Sequence, residues 1–273
     1  MTRALAGFTH ETRNYQGTTR DVWIAGDGPP IIVMHEIPGL HPGVVAFARR
    51  LVQAGFRVVM PSLFGSPGRE RGPAYVTQSL WRACLSREFT VLATRRNSAI
   101  TGWLRALSRD EHHTTQRPVG AIGMCLTGGF ALAMMVDPHL MAPVLSQPSL
   151  PFGVLPHQCR DLGIDDDTLE AVRQRCRNGA CVMGLRFSHD RMTPAARFRR
   201  LETELGDNFI GIEIDSSPRN EHGIKPWAHS VLASDFVDRP GHPTHDALER
   251  VVTFFATRLQ LGEAAPRNEP TPG

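Results

Sequence analysis

Lysine is nearly absent from this chain: Lys225 is the only one in 273 residues, and arginine carries almost all the positive charge. Schiff-base chemistry is therefore not expected. The formal net charge is only +3, and clusters such as Arg95–Arg96 and Arg199–Arg200 fall in helically spaced stretches, where they read as solvated faces. No basic stripe interleaves with aromatics, so no nucleic-acid partner is expected. The chain also lacks the run of about 18 apolar residues that a membrane span needs. Met1 to His10 has no apolar core of a secretory signal. These absences predict a soluble, cytoplasmic protein with no membrane partner.

Cysteine is sparse and irregular. Cys84, Cys125, Cys159, Cys176 and Cys181 make an odd set without a CxxC pair. Without a secretory signal, that pattern predicts reduced thiols. Cys159, Cys176 and Cys181, with His157 nearby, lack the paired spacing of a zinc site and read as ordinary buried or loop thiols. No metal or organic cofactor is expected. Gly-x-Ser-x-Gly is missing as well, so no serine competes as an elbow nucleophile.

What is present alternates between apolar runs and helical spacing. Ile31 to His35 follows the turn cluster Asp27-Gly28-Pro29-Pro30 and predicts a buried strand. His41 to Ala54 carries Val44, Val45, Ala48, Leu51 and Val52 at helical spacing and stops at Gly55. Phe56 to Met60 is the next strand, completing a βαβ unit. Residues 62–75 read as a Gly- and Pro-containing loop, and Thr77 to Leu107 as largely helical. Pro118 to Gly123, Ala142 to Leu145, Cys181 to Phe187 and Phe209 to Ile214 predict further strands. Helices are expected over Leu126 to Val136, Asp166 to Arg177, Pro194 to Leu205 and His245 to Leu259. The pattern predicts a doubly wound, mostly parallel α/β sheet with helices on both faces. It is read as one domain over residues 1–262, with a disordered tail at 263–273.

The chemically informative segment is Gly123-Met124-Cys125-Leu126-Thr127-Gly128-Gly129, where a strand ends at a nucleophilic side chain and a helix follows. A thiol at the start of a helix is favoured as thiolate, and the backbone N–H of Leu126 points toward a developing oxyanion. Taken alone, the string fits a buried structural cysteine equally well. Asp190, in the loop after the Cys181 to Phe187 strand, sits where an α/β-hydrolase places its acid, although it could equally cap the helix near Pro194. His229 lies after the last strand and before the closing helix. Nucleophile, acid and histidine thus follow the chain order this fold demands.

At these residues the chain resembles the dienelactone hydrolases, from about Gly28 to Phe255. Ile32 to Gly39, with His35-Glu36 before a glycine, is similar to their strand and oxyanion loop. Leu51 to Pro61 resembles their next helix–strand passage. The elbow is similar to their Gly-x-Cys-x-Gly-Gly, Asp190 to Pro194 to their Asp-x-x-x-Pro, and His229-Ser230 to their histidine segment. The resemblance implies an α/β-hydrolase cleaving a small-molecule ester or lactone through a Cys125–His229–Asp190 triad and an acyl-enzyme. It implies that Glu36 contacts the resting cysteine and promotes thiolate formation; otherwise Glu36 is a buried carboxylate paired with an arginine. Ile37 and Leu126 N–H groups would form the oxyanion hole, and His35 would belong to the site wall. Two departures stand out. Thr127 replaces a usual glycine and crowds the elbow, and the substrate-holding arginines are not evident, Arg82 and Arg87 being the nearest candidates. Those departures keep open a catalytically silent, ligand-binding scaffold, and a thioesterase on the same fold is a further alternative.

Overall fold

A computed structural model of the chain describes residues 3–70, 72, 99–153 and 155–262. Eight strands form one sheet: β1 (Thr9–Tyr15), β2 (Thr18–Ala25), β3 (Pro30–Met34), β4 (Arg57–Pro61), β5 (Val119–Met124), β6 (Leu140–Ser146), β7 (Val182–Phe187) and β8 (Phe209–Ile214). Their order is β1-β2-β4-β3-β5-β6-β7-β8. From β4 through β8 all neighbours are parallel, while β1 and β2 pair antiparallel and β2 runs antiparallel to β4. The expected mostly parallel, doubly wound sheet is the architecture observed.

The described helices are α1 (Pro42–Gln53), α2 (Ala99–Thr115), α3 (Gly128–Met134), α4 (Pro156–Cys159), α5 (Asp166–Arg177), α6 (Ala195–Leu205) and α7 (Pro243–Arg258). Alternation within each strand feeds two separate cores. Ile32, Met34 and Ala121 face Trp103 and Leu104 of α2, Phe130 of α3, Val172 of α5 and Leu201 of α6. Ile31, Val33 and Ile122 face Val44 and Leu51 of α1 and Val251 and Phe255 of α7. Both faces of β3 and β5 are therefore buried, which is why their sequences read as continuous apolar runs. Each large side chain so buried contributes about 2 kcal/mol. Among the described residues no helix is long and apolar enough to cross a membrane.

Three local outcomes differ from the sequence expectations. The β1–β2 hairpin was not anticipated, because Thr9–Tyr15 is polar and its side chains are exposed or half-buried. Its turn, Gln16-Gly17, has φ of 54° and 78°, the positive pair of a type I′ hairpin with glutamine in the place usually held by asparagine. The helix after the elbow is shorter than Leu126 to Val136. A 3₁₀ turn spans Cys125–Thr127, and α3 ends at Met134, just ahead of Asp137-Pro138, where proline disfavours helix in the residue before it. The helix expected to end at Leu107 continues to Thr115. Its last turns are polar and lack apolar periodicity, yet Glu111 there is buried and accepts from Arg57 Nε at 2.8 Å. The rest of the reading over 77–98, and the tail at 263–273, lie outside the described residues.

The chain leaves β3 for β4 on one side and returns to β5 on the other. That reversal opens a crevice at the carboxyl ends of the strands, the usual ligand position in such sheets. Residues 36–41 follow β3, Cys125 follows β5, residues 147–149 follow β6, Asp190 follows β7, and His229 lies in the segment between β8 and α7. The fold therefore gathers the chemistry-bearing residues at one end.

Candidate active site

Cys125 occupies the tip of a strand-to-helix turn with φ of +55°, a left-handed conformation that side chains with a Cβ rarely adopt. The neighbours explain how the turn closes. A Cβ on Gly123 would lie 2.1 Å from the Thr127 carbonyl oxygen, and one on Gly128 would lie 2.6 Å from Cα of Pro148. Thr127, where a glycine was expected, does not wedge the turn apart. Its hydroxyl accepts from the Met124 N–H at 2.8 Å and lies within 3.2 Å of the carbonyls of Met124, Met34 and His35. The single hydroxyl proton can serve one of those carbonyls at a time. Thr127 thus bolts the end of β5 to the end of β3. Ser149 N–H, on the β6 loop, donates to the Cys125 carbonyl at 3.0 Å.

The structure brings Cys125, His229 and Asp190 together. His229 Nδ1 lies 2.7 Å from Asp190 Oδ2, and the Cys125 sulfur is near enough to act on the protonation of the imidazole. With Nδ1 given to the carboxylate, Nε2 is the nitrogen left for the sulfur; it also lies 3.5 Å from Ser149 Oγ. Burial pushes the His229 imidazole down, but the Cys125 sulfur and the bonded Asp190 outweigh it and hold its pKa well above the ordinary histidine value. Asp190 is buried and its other oxygen accepts from Met192 N–H at 2.9 Å. Its loop is clasped by Arg186 of β7, almost fully buried, which donates to the carbonyls of Thr193 and Ser188 at 3.0 Å each and pairs with Glu213. The histidine loop has its own brace: the N–H groups of His229 and Ser230 both donate to Asp235 Oδ2 at 2.9 Å.

Glu36, buried at the start of the loop after β3, ties three segments together. Oε1 accepts from His41 Nε2 at 3.0 Å, Ser230 Oγ at 2.9 Å and Ser234 Oγ at 3.1 Å, and Oε2 accepts from Gln147 Nε2 at 3.0 Å. His41 is fixed as the Nε2–H tautomer because its Nδ1 caps α1, accepting from Gly43 N–H at 3.2 Å. His35, expected in the site wall, is fully buried there. Its Nε2 accepts from Leu63 N–H at 3.0 Å, and Nδ1 lies 3.1 Å from the Glu36 carbonyl. Burial pushes its pKa down to about 4, which keeps the ring neutral. Ile37 and Leu126, the expected oxyanion donors, are buried at the ends of β3 and β5.

A pocket of about 390 Å³ opens beside His229 and Asp190, walled by Met192, Pro226 and Trp227 with Arg191 and His189. Arg82 and Arg87 lie outside the described residues. Sequence reasoning missed Gln147, Ser149, Ser234 and the capping role of His41. These carry no motif of their own, and only the crossing of chain segments identifies them. Trp227, two residues from His229, was the one nearby signal.

Strands, elbow and the order of the site residues define an α/β-hydrolase. A profile of the dienelactone hydrolase family matches residues 17–259, and the chain belongs to that family and is a hydrolase. Among solved structures, a putative dienelactone hydrolase from Klebsiella pneumoniae is 18% identical, with 91% of this chain and 98% of that one covered and a TM-score of 0.61. A dienelactone hydrolase-like promiscuous phosphotriesterase from metagenomic libraries is 15% identical over 93% and 100% of the two chains, with a TM-score of 0.57. A cold-adapted esterase from an Arctic intertidal metagenomic library is 14% identical over 92% of each chain, with a TM-score of 0.54. No curated protein matches the chain.

Proposed function

We propose that this hydrolase cleaves a carboxylic ester or lactone through Cys125 as nucleophile, with His229 as base and acid and Asp190 orienting it. The observation that carries the reading is the imidazole of His229, bonded to Asp190 at 2.7 Å and electrostatically coupled to the Cys125 sulfur. The thiol proton passes to His229, and the thiolate attacks the carbonyl carbon. The tetrahedral oxyanion takes the N–H groups of Leu126 and Ile37, and collapse expels the alcohol oxygen with the proton from His229. Water then attacks the acyl-thioester with His229 as base, and the C–S bond breaks with its electron pair returning to sulfur, releasing the acid and restoring Cys125.

The electrostatics suit both halves of that cycle. Once the thiol proton has passed to His229, the charge left on the Cys125 sulfur helps to hold it there. Once the sulfur is acylated that charge is gone, so the imidazole is freer to accept a proton from water. Glu36 acts at one remove in this proposal, as a positioning residue. Its oxygens accept from His41, Gln147, Ser230 and Ser234, so a turn toward the sulfur, as the family resemblance implies, requires some of those bonds to be given up.

The test is Cys125→Ala, which should stay folded and lose hydrolysis of a small activated ester. In the unaltered chain, iodoacetamide should modify Cys125 rapidly near neutral pH. Unchanged turnover in the variant removes Cys125 from the mechanism.

A further inference from the structure

Proton delivery fixes which half of an ester lies where, given the mechanism proposed above, on which this inference rests. The acyl carbonyl must sit between the Cys125 sulfur and the N–H groups of Ile37 and Leu126, on the β3–β5 side of the crevice. The departing oxygen must lie against His229 Nε2, because the C–O bond breaks with its electron pair going to that oxygen and the proton coming from His229. The alcohol half therefore projects past His229, toward the loops that follow β7 and β8. The pocket of about 390 Å³ walled by Met192, Pro226 and Trp227 lies there.

Its lining is unusual for a surface left to water. The Trp227 indole is 76% exposed and Met192 is 39% exposed, two of the four large apolar side chains so exposed among the described residues. Neighbouring exposed apolar groups of this kind mark a binding surface. An indole face and a thioether are good partners for a flat π-system, and the volume lies within the range of small-molecule sites. We propose that this pocket receives the alcohol half of the substrate and favours flat aromatic alcohols, the ring lying against Trp227 and Met192.

The experiment has a binding arm and a turnover arm. In the Cys125→Ala background, titration calorimetry with 2-naphthol should show binding, and adding Trp227→Ala should weaken it roughly tenfold. With Cys125 present, Trp227→Ala should lower kcat/KM at least about fivefold more for 2-naphthyl acetate than for methyl acetate, and Trp227→Phe should recover most of that difference. Absence of 2-naphthol binding, binding indifferent to Trp227, or equal losses on the two esters overturns the assignment. Trp227-dependent binding in a chain that acylates on no ester upholds the pocket and sinks the nucleophile. Acyl-Cys125 formation with Trp227-independent binding does the reverse.

Discussion

Cys125 holds a left-handed backbone that costs on the order of 1–3 kcal/mol, and the residues around it maintain that turn. Thr127 contributes most visibly, since its hydroxyl satisfies the buried Met124 N–H and reaches toward carbonyls of both strands. Thr127→Val keeps the shape but orphans that N–H. Urea denaturation should show a loss of roughly 1–3 kcal/mol, with Thr127→Ser retaining most of the stability. Asp190 works on orientation: its carboxylate holds Nδ1 of His229 at 2.7 Å. Asp190→Asn should lower kcat roughly a hundred- to ten-thousandfold with the fold preserved by circular dichroism. A loss below about threefold would exclude Asp190 from the mechanism.

At the scale of elements, what could be read from the sequence was what local patterns carry. Helix α5 runs over the expected Asp166–Arg177 because Asp165 caps it, accepting from Thr168 N–H at 2.8 Å. Strand β8 matches its expected span because its apolar run is bounded by polar turns. The β1–β2 hairpin was hidden because its first strand buries little and its turn lacks Asn-Gly. The Glu36 hub was hidden for another reason. Its partners lie between 5 and 198 residues away in the chain, and no short pattern joins them. That hub couples the loops after β3 and β6 to the histidine loop. Glu36→Gln puts an amide donor among hydroxyl, imidazole and amide donors. It should lower kcat tenfold or more with little change in KM, by loosening His229 rather than substrate. Unaltered kcat would show that the histidine loop stands without it.

Across the whole molecule, one sheet divides two cores, and the site sits where the chain reverses direction at its carboxyl edge. Stability and chemistry are therefore linked through groups such as His35, the fully buried residue that joins β3 to Glu36. Unfolded, His35 takes up a proton near pH 6.5; folded, burial delays that until about pH 4. Between those values the unfolded chain binds the extra proton. The stability held by the neutral ring is complete above 6.5 and is lost as pH falls through about 4, by roughly 3 kcal/mol in all. His139, only half-buried, shifts in the same direction. Urea midpoints should fall steadily from pH 7 to pH 4.5, and less steeply in His35→Gln. A pH-independent midpoint would contradict the buried neutral ring.

The identity of the nucleophile decides the account, and it is directly visible by mass. The chain should be mixed with an activated ester, quenched in acid during turnover, digested and examined for its acylated peptide. The acyl group should be found on Cys125, appearing and disappearing at rates that match turnover, and it should be absent from Cys125→Ala. Steady hydrolysis with Cys125 unmodified throughout, or an acyl group turning over on another side chain, contradicts the mechanism.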